Sequence, residues 1–229
     1  MADLTIIMLT PNLVPKKWVE FHKQKLLEAA GDNPIITISK EPLDWGVKNL
    51  IQTEYGLSNL YRQILRGAKE ADTPLVAIAE DDTLYPKQHF QFRPIQPGYY
   101  YNLNRWHMFT WKNSYYFQGR PFYFYKPRPA NGLLISTREL MVESLESRLA
   151  TSPDLENPYL RHELGTVDRI LNYDKVPWRS FYTREPVLCF DHIYSVGDLA
   201  KRRKKRPWPI AAYDIPVWGR AEEIVKKFQ

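Results

Sequence analysis

A single cysteine, Cys189, in 229 residues excludes a disulfide framework and any zinc or iron–sulfur site built on thiolates. Glycine is scarce, at 10 residues against 18 prolines, which excludes a flexible or collagen-like chain. No run reaches the roughly 20 apolar residues that a membrane-crossing helix needs. Met1-Ala2-Asp3 is not a basic segment, and Leu4 to Leu9 is too short for a secretory core. A soluble, cytoplasmic protein is expected. The content of 44% apolar and 25% charged residues is that of a globular chain, and the length suits one domain with a real core.

Charge of one sign is absent almost everywhere. Lys and Arg number 32 against 26 Asp and Glu. Six of the cations stand together as Lys201, Arg202, Arg203, Lys204, Lys205 and Arg206, and without them the count is 26 to 26. The net charge of +6 therefore belongs to one local patch. Six adjacent cations repel one another and favour a polyanion, and the neighbouring Trp208 and Tyr213 are suited to stacking on bases. An anionic membrane surface is the other partner this patch would suit.

Aromatic residues are plentiful, at 14%, and 13 of them fall between Tyr99 and Tyr125. Upstream, apolar runs alternate with helical spacing. Leu4 to Thr10, Ile35 to Ser39 and Leu75 to Ala79 read as buried parallel strands, and residues 15–30 and 56–71 as helices between them. That order predicts an open, mostly parallel α/β sheet with right-handed crossovers. Residues 86–129 predict aromatic-rich strands and loops over one edge of the sheet. Leu133 to Ser136 and Val187 to Phe190 are further strands, and residues 137–150 and 158–173 further helices.

The sharpest local feature is Glu80-Asp81-Asp82 directly after a buried strand. Open α/β sheets bind ligands at the carboxyl ends of their strands. Three adjacent carboxylates there are hard to keep ionised without a cation, and oxygen ligands suit Mg²⁺ or Mn²⁺. Such an ion can bridge a diphosphate and stabilise it as it leaves.

The strand and acidic triplet, Leu75 to Asp82, resemble the D-x-D-type motif of nucleotide-sugar glycosyltransferases with the GT-A fold, especially those near family two. Gly56 to Ala68 is similar to that family's Asn-bearing helix, and Ala130 to Arg138 to its acceptor-side loop and strand. The three segments keep the family's order within residues 4–138. The resemblance implies a GT-A-like sheet in a catalytic domain over 1–195, with a nucleotide-binding half (1–85) and an acceptor-side half (86–195) carrying an aromatic-rich insertion. Residues 196–229 would be a basic tail ending in a short helix.

Residue by residue, the resemblance implies that Asp82 binds the metal, while Glu80 replaces the usual first Asp and Asp81 fills the middle position. Thr10 and Pro11 would begin the donor pocket, with Asn59 and Arg62 facing it, and a guanidinium at Arg62 suits phosphate oxygens. His192 would be a further metal ligand, and Glu163, then Asp168, the base for an inverting transfer. The implied donor is a nucleotide sugar such as a UDP-sugar.

Some small soluble relatives, often viral, glycosylate hydroxymethylated pyrimidines in DNA. With the local basic patch, this leads to DNA as the expected acceptor, in the host cytoplasm if the source is viral. A base inside a duplex would have to be extruded for such chemistry. Three other readings stay open at this point. They are transfer to a polysaccharide or lipid at a membrane surface, a non-catalytic nucleic-acid-binding module, and a Mg²⁺-dependent phosphoryl or nucleotidyl transferase.

Overall fold

The computed structural model describes residues 2–56, 58–111, 119–156, 158–166, 176–193 and 206–228. The strands β1 (Leu4–Thr10), β2 (Ile35–Ser39), β3 (Lys48–Ile51) and β4 (Leu75–Glu80) lie side by side in the order β3-β2-β1-β4, all parallel. Every residue of β1 and β2 is buried. Strands covered on both faces read as continuous apolar runs rather than alternating ones, which is why their sequence was diagnostic. β3 reads KNLI and has one buried residue, so it carries too little apolar signal to be picked out.

Two helices follow the expected crossovers. α1 (Lys16–Ala30) buries Trp18, His22, Leu26 and Ala29, and ends at Gly31, whose φ of +57° favours a residue without a Cβ. α2 (Asn59–Glu70) packs on β1 and β2 through Gly67, where an added Cβ would stand 2.4 Å from Ile7 Cγ2.

Beyond β4 the chain leaves the parallel sheet. Asp81 and Asp82 form the turn into β5 (Thr83–Leu84), the edge of a second, five-stranded sheet. After α3 (Lys87–Gln91), the strand β6 (Tyr99–Asn102) lies within the first sheet, between the strands β9 (Leu134–Thr137) and β10 (Trp178–Phe181). The first strand of the aromatic-rich stretch is thus internal to the main sheet, not laid over its edge. Its neighbours β7 (Arg105–Phe109) and β8 (Tyr123–Tyr125) join the second sheet, with β11 (Val187–Asp191) and β12 (Ala211–Ala212), in the order β12-β8-β7-β11-β5. Only β9 opposes the others in the seven-stranded sheet, so the expectation of a mostly parallel α/β sheet holds.

The chain passes from the first sheet to the second three times: from β4 to β5, from β6 to β7 and from β10 to β11. The last two crossings are tied together, since Asn104 Nδ2 donates to Thr183 O (2.9 Å) and Val187 N to Asn104 O (2.9 Å). α4 (Arg138–Thr151) matches the helix expected over 137–150 and packs on α2. The helix expected over 158–173 is a single 3₁₀ turn, Pro158–Arg161, in its described part; Glu163 to Thr166 form a turn instead. Gly165 there has φ +76° and an added Cβ would lie 2.7 Å from Tyr99 Cδ2, so the chain turns where a helix would have continued.

The C-terminal segment contributes the hairpin β13 (Asp214–Ile215) and β14 (Gly219–Arg220) and the helix α5 (Ala221–Phe228). The apolar face of α5 joins Trp18, Leu84, Met108, Leu188 and Phe190 in a second core behind the five-stranded sheet.

Candidate active site

A cleft of about 480 Å³ opens where the carboxyl ends of β1, β2 and β4 face the second sheet. Its wall includes Thr10, Pro11, Asn59, Glu80, Asp81, Asp82 and His192, seven of the residues singled out from the sequence. The turn between the sheets holds the carboxylates in place. Trp18 Nε1 donates to Asp81 O (2.6 Å), and a nitrogen of His22 bonds Thr83 O (2.9 Å), so α1 grips the turn from both ends. Asp81 N donates to Leu9 O on β1 (3.3 Å), and Phe190 N to Asp82 O on the other sheet (2.8 Å).

The three acids then separate. Asp81 is buried and accepts a short hydrogen bond from Thr10 Oγ1. Burial, and next the charge of Asp82, push its carboxyl well above the usual range. The Glu80 carboxyl packs on Gly132, where an added Cβ would lie 2.6 Å from Oε2, so the small residue at 132 makes room for it. Burial first and Asp82 second raise Glu80 to about 7. Asp82 is more open and faces His192, with Nε2 3.6 Å from Asp82 Oδ2. His192 is seated against the Phe228 ring of α5, at 5.1 Å between centroids.

Other residues take different places. Arg62 turns away from the cleft, and its Nη2 donates to Pro153 O (2.7 Å) and approaches Asp154 Oδ1 (3.8 Å). The expected phosphate contact at Arg62 is therefore not formed by this arrangement; the helix dipeptide around it points that side chain to the loop after α4. Glu163 is half-buried beside the cleft rather than on its wall, and its charge acts on both Glu80 and Tyr61. The preceding carbonyl is anchored, since His162 O accepts from Tyr61 Oη (2.8 Å) and Arg148 Nη1 (2.6 Å). Asp168 lies outside the described residues, as do Lys201, Arg202, Arg203, Lys204 and Lys205. Arg206 and Trp208, at the end of the basic run, are exposed.

Sequence reasoning passed over several wall residues. Lys40 and Tyr55 stand at the ends of β2 and β3, with the ammonium 3.5 Å from the ring centroid. Tyr55 is 80% exposed, with one ring face covered by Lys40 and the other accessible to a flat ligand ring. Arg161 enters from the 3₁₀ turn. Arg105 and His107 come from β7 and Cys189 and Asp191 from β11, within the strands rather than after them. The only signal available for them was alternation, Arg-Trp-His-Met-Phe, which reads as a half-exposed strand.

Asp82 and His192 fit a divalent ion by donor type, a carboxylate beside an imidazole. Among the described residues no group of three or more His, Cys, Asp or Glu is arranged to hold a metal, so these two would be a partial shell. That is the usual situation for Mg²⁺, which keeps water and takes phosphate oxygens as its remaining ligands.

No family model matches the chain, and no curated protein matches it. Several solved structures are similar to it at low identity. Bifunctional IspDF from Campylobacter jejuni is 10% identical, with a TM-score of 0.45 over 80% of this chain, which spans 50% of that protein's length. A glycosyltransferase involved in glycosylation of the major capsid of PBCV-1 is 14% identical, with a TM-score of 0.43 over 89% of this chain and 98% of that one. HddC from Yersinia pseudotuberculosis is 11% identical, with a TM-score of 0.45 over 81% of this chain and 92% of that one.

Proposed function

We propose that this chain is a glycosyltransferase that takes its sugar from a nucleoside diphosphate sugar and uses Mn²⁺ or Mg²⁺. The observation that carries the reading is the Asp82–His192 pair at the junction of two sheets, in a cleft at the carboxyl ends of parallel strands. Thr10, Pro11 and Asn59, with Lys40 and Tyr55, form the end of the cleft suited to a nucleoside. Asp82 and His192 would hold the ion beside the diphosphate. When bound, the ion offsets the negative charge that develops on the leaving diphosphate.

Glu163 is the base in this reading. Its carboxylate takes the proton from the acceptor hydroxyl while the acceptor oxygen forms a bond to the anomeric carbon. The bond from that carbon to the diphosphate oxygen breaks on the opposite face, and the electron pair leaves with the diphosphate, giving inversion. Asp168 is the second choice for the same role.

For the acceptor we carry forward hydroxymethylated pyrimidine in DNA, with Arg206 and Trp208 exposed beside the rest of the basic run. The test is incubation with Mn²⁺ and a panel of nucleotide sugars, with hydroxymethylated DNA, an oligosaccharide or anionic vesicles as acceptor. Nucleoside diphosphate release that stops in a chelator supports the reading. Release of pyrophosphate from a nucleoside triphosphate and a sugar phosphate would identify a nucleotidyl transferase instead. Full activity in the chelator would remove the metal.

A further inference from the structure

The second sheet presents two unlike faces. Trp106 and Met108 of β7, with Leu188 and Phe190 of β11, belong to or pack against the apolar core under α5. The residues between them, Arg105, His107, Cys189 and Asp191, line the cleft. The parallel register sets Cys189 beside His107 and Val187 beside Arg105, so these polar groups share one side of the two strands.

Arg105 is only 8% exposed, yet its partners are poor. Nε donates to Cys189 Sγ (3.3 Å) and Nη1 makes a long contact with Arg128 O (3.4 Å). No carboxylate of the described residues lies within 4 Å of it; Glu80 and Asp191 act on it from farther away. A guanidinium has five N–H donors in a planar fork, and no nitrogen of Arg105 is among the buried unpartnered atoms, so its remaining donors open on the cleft, where a bound group can complete the set. His107 is 3% exposed. Its Nδ1 lies 3.4 Å from Asp191 Oδ2 without forming a hydrogen bond, and among the described residues Nε2 has no hydrogen-bond partner either, so that nitrogen is available to a ligand hydroxyl.

We propose that the cleft face of β7 and β11 is a substrate subsite for an anionic, hydroxyl-bearing group, a sugar carboxylate or sugar phosphate, with Arg105 gripping the oxyanion and His107 Nε2 accepting from a neighbouring hydroxyl. Both the charge and the geometry argue for an anion. The hydroxyls of an uncharged sugar accept from the fork singly and leave its charge uncompensated, whereas carboxylate or phosphate oxygens match it in pairs. The acidic turn opposite would repel an anion, so only a fixed cation on this wall retains one. Arg105 and His107 come from the second sheet, whereas Thr10 and Lys40 stand at the carboxyl ends of strands in the first, which puts the anion on the sugar or acceptor rather than the nucleoside. That last step rests on the proposed donor orientation; the subsite itself does not.

The test is nitrogen-15 NMR of the Arg105 side-chain Nε–H, assigned by its disappearance in Arg105→Lys. The wild-type protein is titrated with methyl glucuronide, glucose 1-phosphate and methyl glucoside, and separately with UDP. The expected result is a saturable shift with one or both anionic probes, none with methyl glucoside, and at least a tenfold loss of affinity in Arg105→Lys. A response to the glucuronide alone identifies a carboxylate, and to glucose 1-phosphate alone a phosphate. No saturable shift with either, or an equal shift with methyl glucoside, overturns the proposal and leaves Arg105 as internal charge compensation for Glu80 and Asp191. If Arg105→Lys does not fold, the Arg105 Nε–H is assigned instead by its through-space contact with Cys189, and the wild-type arm decides. UDP binding without a sugar-anion response would sink the subsite alone; the reverse would sink the donor reading alone.

Discussion

The two walls of the cleft are built on different logic. On one side, β1, β2 and β4 are buried along nearly their whole length, and the polar groups of the cleft begin only where each strand stops, at Thr10, Lys40 and Glu80. On the other side, β7 and β11 carry Arg105, His107, Cys189 and Asp191 within the strands. The first wall separates fold from function along the sequence. The second superimposes them, because each strand turns one face to the core and the other to the cleft. A change on the first wall can therefore remove chemistry and spare the core, whereas a change on the second tends to disturb both.

The strongest way to sharpen that contrast is Asp82→Ala. Asp82 sits in the turn between the sheets, its side chain 22% exposed, and the variant should fold as the wild type does. Transfer should fall by about a thousandfold or more if Asp82 helps hold the ion at the leaving diphosphate. Steady-state rates in Mn²⁺ beside a thermal melt would check both parts. A variant that retains most of its transfer rate would break the reading of this wall as the metal side. The next effect is smaller. Glu163→Gln should slow the transfer step by roughly a hundredfold while leaving nucleotide binding in place. If Asp168→Asn is the inactive variant and Glu163→Gln is near normal, the two roles are exchanged.

The same contrast explains what could be read from the residues beforehand. Buried parallel strands and the acidic triplet announce themselves because nothing interrupts the apolar run before the carboxylates appear. Gly132 lies in the segment compared with the family's acceptor-side loop, and the structure gives the reason for a glycine there, the carboxyl of Glu80 lying where a Cβ would be. The second wall was opaque. Alternating polar and apolar residues mean a strand with one wet face in most sheets, and here that face lines a cleft shared with another sheet. Arg62 misled for a related reason. Helix periodicity gives a residue's side of the helix, but the long side chain reached Pro153 O instead of the cleft. The role of Phe228 as a seat for His192 could not be found without the fold, since 36 residues separate them.

The junction between the walls offers a third test, through acid. His22 on α1 is buried against Thr83 O, and burial lowers it to about 4. In the unfolded chain the same imidazole protonates near its ordinary value of 6.5. Between those values the unfolded chain binds more protons, so the contribution of His22 is full above about 6.5 and is lost as pH falls toward 4. At pH 5 the loss is roughly 2 kcal/mol, from 1.36 kcal/mol per unit. His89, lowered to about 3 by burial, adds in the same direction. Glu80 and Asp81, raised by burial, act in the opposite sense over the same range, so the share of His22 is read as the difference between wild type and His22→Gln in urea denaturation at pH 7 and pH 5. A variant whose pH dependence equals that of the wild type would mean that this imidazole finds water in the folded state.

The smallest effect expected is at Thr10, and it bears on how the first wall keeps its charges. Thr10 Oγ1 donates to the Asp81 carboxyl and accepts from Asn12 N (2.9 Å), so one hydroxyl links β1 to the acidic turn. Thr10→Val keeps the shape and removes both bonds. Asp81 is buried, and its carboxyl already lies well above its usual range although the Thr10 hydroxyl pulls it down. Loss of that donor should cost about 1–2 kcal/mol, the range for a buried polar group losing one partner. Thr10→Ser, which retains the hydroxyl, should recover most of it. Equilibrium unfolding of the three proteins at pH 7 gives the comparison. If the valine variant is as stable as the wild type, the buried Asp81 is satisfied without Thr10. The end of β1 would then contribute packing alone, and the division of labour between the two walls would be less sharp than the sequence of β1 suggests.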